Sequence, residues 1–88
     1  MNTHRVLIDW RGMVLVAELE FLKQGHARLF IPRGFVPPVR ANVRLRRLGS
    51  LVAGRLYDIG AWRVSEVEDL FDGSHALNLC RDQQLLAA

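Results

Sequence analysis

The 88-residue chain contains a single cysteine, Cys80, and a single lysine, Lys23, and its three prolines all fall within residues 32–38. One thiol excludes an intrachain disulfide and any metal site built mainly from cysteines. The longest apolar runs are short, such as Met13–Ala17. None approaches the roughly 20 residues of a membrane-spanning helix. The opening MNTHRVLIDW carries Asp9 inside its apolar stretch and has no secretory pattern. A soluble protein of a reducing compartment, cytoplasmic by default, is therefore expected. Phosphate-binding glycine fingerprints are absent.

Catalytic constellations are equally sparse. His4, His26 and His75 are scattered, so a metal site would need the fold to gather them. Cys80 and His75 are five residues apart, which in a strand puts their side chains on opposite sides. Ser50, Ser65 and Ser74 sit in no nucleophile context. No enzyme, no metal and no cofactor is expected. An enzyme using His75 and an acidic residue is the remote alternative.

What the chain has is apolar content and arginine. Half of its residues are hydrophobic, which supplies a core for one domain over residues 1–88 and leaves material for a subunit interface. Of twelve basic residues eleven are arginine. Residues 33–63 hold seven arginines against Asp58 alone, a net of +6; residues 64–88 hold Arg81 against five carboxylates, a net of −4. Such asymmetry suits nucleic-acid binding or attraction between neighbouring copies.

Period-two alternation runs through most of the chain and argues strands. Val6, Ile8 and Trp10 share one face of the first segment, which ends at the turn Arg11-Gly12. Leu15, Ala17, Leu19 and Phe21 alternate with Val14, Val16, Glu18 and Glu20. Lys23-Gln24-Gly25 reads as a hairpin into His26–Ile31. The segment from Pro32 to Pro38 is too rich in proline for a helix or central strand, with Phe35 and Val36 expected to hold it against the body. In Val39–Leu48, Arg40, Asn42, Arg44 and Arg46 take one face and Val39, Ala41, Val43 and Leu45 the other. A return strand is expected over Leu51–Tyr57. Asp58 and Gly60 predict a corner, Asp58 accepting backbone N–H groups and Gly60 supplying a positive φ, with Trp62 as the packing anchor of the next strand. Ser65 with Glu68 matches a capping box, which would place Val67, Leu70 and Phe71 on one helical face; a strand to about Val67, then a short turn or one-turn helix ending at Asp72-Gly73, is expected instead. His75–Arg81 is the last strand, and 82–88 a C-terminal tail.

About seven short strands with frequent turns predict an all-β fold, a small Ig-like antiparallel β-sandwich, with a small SH3- or OB-like barrel as the alternative. Residues 37–82 carry Val43-Arg44-Leu45, Gly49, Leu51-Val52-Ala53, Asp58, Gly60, Trp62-Arg63-Val64 and Arg81-Asp82. This order resembles Ig-like or prealbumin-like β-sandwich modules of bacteriophage tail proteins. The resemblance implies a non-enzymatic assembly protein of a tail or baseplate, located in the virion, with copies of itself or other virion proteins as partners. Candidate contact residues are Val14, Val16, Phe35, Val36, Leu85, Leu86 and the row Arg40, Arg44 and Arg46. The alternative function is nucleic-acid binding by that row.

Overall fold

The computed structural model describes residues 3–48 and 56–81. They form six strands: β1 (Thr3–Trp10), β2 (Met13–Phe21), β3 (His26–Ile31), β4 (Asn42–Leu48), β5 (Leu56–Asp69) and β6 (His75–Arg81). No helix occurs among the described residues. All pairs are antiparallel, in the cyclic order β1-β2-β3-β6-β5-β4, and β4 closes on β1.

The expected all-β class is present, but the strands close into a six-stranded barrel rather than a seven-stranded sandwich. Two three-stranded meanders, β1–β3 and β4–β6, join at both edges. Asp9 to Val6 pairs with Arg44 to Arg47, and His26 to Ile31 pairs with Cys80 to His75. Closure removes the exposed edges that a pair of open sheets would leave.

Alternation along each strand fills the interior. Val6, Ile8, Ala17, Leu19, Ala27, Leu29, Ile31, Val43, Leu45, Trp62, Val64, Leu77 and Leu79 form one buried cluster. No polar side chain is buried among the described residues. Each fully buried Val, Leu or Ile contributes about 1.5–3 kcal/mol relative to exposure.

The turns follow local chemistry. Arg11 and Gly12 both have positive φ, at 53° and 78°, the signature of a two-residue hairpin turn whose twist matches its strands. At the β2–β3 hairpin the His26 N–H donates to the Lys23 carbonyl at 2.9 Å. Residues 32–41 begin and end at the same end of the barrel, since β3 runs toward it and β4 away from it. Phe35 and Val36 pack on the core there and Pro37 is buried, so this segment is held as expected.

Two local expectations are corrected and one is extended. The Asp58–Gly60 corner does not join two strands: both residues lie inside the 14-residue β5, where the register with β4 shifts between Leu45 and Arg46. Ile59 is the extra residue, and the feature is a β-bulge. The strand expected to about Val67 runs on to Asp69, and Ser65 caps no helix among the described residues. It sits at a second irregularity of β5, between Val64 and Glu66, and its hydroxyl donates to the Asn78 carbonyl at 3.0 Å. Arg40 is not in β4, which begins at Asn42; it occupies the preceding turn with φ 77°. Leu51–Ala53, Leu85 and Leu86 lie outside the described residues.

Candidate interaction surfaces

The arginine row is shorter than the alternation suggests, and it is already paired. Arg44 and Arg46 point outward from β4, alternating with the buried Val43 and Leu45. Arg44 donates to Asp58 Oδ2 at 2.5 Å, across the β4–β5 pairing at the bulge, and Arg46 donates to Asp9 Oδ2 at 2.8 Å, across β1. Asp58 Oδ1 also accepts the Gly60 N–H at 2.9 Å. The Arg44 hydrogen bond, then the Gly60 N–H, hold the Asp58 carboxyl below its ordinary range. The bulge thus has two roles. It turns the phase of β5, and it presents a carboxylate to the row.

The bulge also orders one mouth of the barrel. Gly60 has φ 95°, and a Cβ there would come within 2.7 Å of Arg81 Nη1. Arg81 stacks over the Trp62 ring at 4.7 Å, and Trp62, only 3% exposed, donates its indole N–H to the Ile59 carbonyl at 3.1 Å. Phe21 lies 6.3 Å from Trp62 and 5.5 Å from His4, ring centre to ring centre. Trp62 therefore anchors the packing as expected, although from the middle of a strand.

The outer face of β1 and β2 carries the apolar excess. Val14 and Val16 are 57% and 47% exposed and stand opposite Asp9 and Leu7 in register. Glu18 faces Arg5 on one side and Phe30 on the other.

The opposite mouth is built differently. Trp10 and Phe35 meet with ring centres 5.8 Å apart, and Arg11 lies over the Trp10 ring at 5.4 Å. Trp10, Arg11, Pro38, Val39, Arg40 and Asn42 line a groove of about 440 Å³. The Arg40 N–H donates to the Val64 carbonyl at 2.8 Å. At the same mouth the β5–β6 hairpin ends in Leu70 and Phe71. Phe71 is 92% exposed with φ 64°. Its N–H donates to Asp69 Oδ1 at 2.8 Å, while Asp72 accepts the Ser74 N–H and hydroxyl, which lower its pKa.

Sequence reasoning did not single out Phe71, since a capping-box alternative grouped Val67, Leu70 and Phe71 on one helical face. Asp72-Gly73 immediately after it was the available turn signal. His75 Nε2 stands 4.0 Å from Asp69 Oδ1 at the base of this hairpin, and Cys80 stands opposite His26 and Arg63. Among the described residues no three His, Cys, Asp or Glu side chains converge as metal ligands, and no helix is long and apolar enough to cross a membrane. No family model, curated protein or solved structure matches the chain.

Proposed function

We propose that this protein is a non-enzymatic structural component that works by protein–protein assembly, with another copy of the chain as its first partner. One observation carries the reading. A barrel whose strands pair in a closed cycle nonetheless exposes apolar side chains on its face and at its hairpin tip: Val14, Val16 and Phe71. Cyclic pairing leaves only strand ends without a second neighbour, such as residues 13–17 of β2, which favours association through side-chain surfaces over strand addition. Clustered exposed apolar groups mark such surfaces. The half-chain resemblance to phage-tail modules supplies a setting for the assembly, a virion tail or baseplate, and that setting rests on the resemblance alone.

The competing function, phosphate binding along Arg40, Arg44 and Arg46, is weakened by the ion pairs. Two of the three guanidinium groups already face carboxylates, Asp58 and Asp9. A phosphate would have to displace them. Sedimentation equilibrium at two salt concentrations tests the proposal. A defined oligomer is expected at both. A chain that is monomeric at both and shifts oligonucleotides contradicts it.

A further inference from the structure

We propose that the Phe71 hairpin of one copy docks in the Trp10–Val39 groove of a second copy, and that the second copy returns the same contact across a twofold axis. The inference rests on the assembly reading and names its surface.

Phe71 is presented rather than packed. A bulky side chain at positive φ is strained, and such strain persists only where the surroundings enforce it. Here three hydrogen bonds do so: the Phe71 N–H to Asp69, the Ser74 N–H to Asp72, and the Leu70 N–H to the Ser74 carbonyl at 3.1 Å. The backbone at Phe71 is consequently fixed, with the ring in solvent. A preordered aromatic knob loses little freedom on binding, which is the property of a hot-spot anchor.

The groove complements the knob in shape and charge. Its lining is mixed: Trp10, Pro38 and a half-exposed Val39 offer apolar contact, and Arg11 and Arg40 offer positive charge. Neither arginine has a carboxylate partner among the described residues. The knob has the opposite collar. Between Val64 and Cys80 the chain carries four carboxylates and no lysine or arginine. Glu68 is taken by Arg28 at 2.8 Å, and Asp69 and Asp72 flank Phe71 without an arginine of their own. An acidic-collared aromatic thus complements a groove that combines apolar side chains with two arginines.

Topology makes the contact reciprocal. The β1–β2 turn, the 32–41 segment and the β5–β6 turn all lie at one end of the barrel, because β1, β3 and β5 run toward that end. Knob and groove on the same end allow each copy to give and receive once, which closes a dimer instead of a filament.

The test is sedimentation equilibrium of the full chain beside three variants. Phe71→Asn removes the ring but suits the left-handed backbone, so the turn is kept. Arg11→Asp with Arg40→Asp reverses the rim at two positive-φ positions that Asp tolerates. Gln24→Ser, in the β2–β3 turn at the opposite mouth, is the control. The unmodified chain is expected to be a dimer that weakens as salt rises. Phe71→Asn and the double Asp variant are expected to raise the dissociation constant by roughly tenfold or more, and Gln24→Ser to leave it unchanged. Circular dichroism identical to the unmodified chain establishes that each variant folds. A dimer unchanged by Phe71→Asn, or open chains in place of a dimer, overturns the docking and leaves assembly standing. A monomer at both salt concentrations overturns assembly and docking together.

Discussion

Gly60 and Trp62 act as one unit, since the bulge that needs a positive φ at Gly60 also supplies the Ile59 carbonyl that receives the Trp62 indole. Gly60→Ala should destabilise the fold by about 1 kcal/mol or more, and Trp62→Ala by about 3–5 kcal/mol. Urea titration reads both. A Gly60→Ala variant as stable as the parent would mean that the bulge does not depend on the glycine. Phe71→Asn should move the other way at concentrations where the chain is monomeric, gaining roughly 1 kcal/mol as left-handed strain is relieved. Much at this scale was legible. Asp-x-Gly gave the N–H acceptor and the positive φ, because both belong to the residues themselves. Phe71 was not legible, since its backbone is set by acceptors on Asp69 and Asp72 that act only once the strands of the hairpin pair.

At the scale of elements, β5 explains where the reading of the chain stopped. Inward residues Val64 and Val67 are three apart, which period two forbids without an extra residue. That odd spacing was present in the sequence, but a capping box over the same residues competed with it. The pairing partner β6 decides between them. In β1, β2, β4 and β6 alternation alone identified the inward face, because those strands carry no bulge over their buried stretches. Arg40 failed as a row member because residues 39–41 turn before β4 begins. The paired Asp58 gives a pH signature. Its depressed pKa means that its stabilising contribution is present above the ordinary Asp value, about 3.9, and is lost as pH falls through the lower folded value. The stability difference between the parent and Asp58→Asn should therefore be full above about pH 5 and fade in more acidic solution. A difference that grows on acidification contradicts the Arg44 pairing. Because these ion pairs are internal to one chain, Arg44→Ser with Arg46→Ser should leave self-association unchanged, as read by sedimentation.

For the whole molecule, the all-β class followed from alternation and turn spacing, while closure did not. Sandwich and barrel use the same local patterns and differ only in whether the outer strands of the two meanders pair, here β1 with β4 and β3 with β6. That pairing depends on twist and on the two bulges that curve β5, which are long-range properties. Closure bears on the proposed function, because a barrel with cyclically paired strands offers mainly side chains on its faces and mouths for association. Sedimentation equilibrium near 150 mM salt, with and without a mixed-sequence oligonucleotide, tests this most directly, since non-specific phosphate contacts are already weak there. The account predicts a defined self-assembled species whose mass the oligonucleotide does not change. A monomer that binds the oligonucleotide with submicromolar affinity under the same conditions would contradict it.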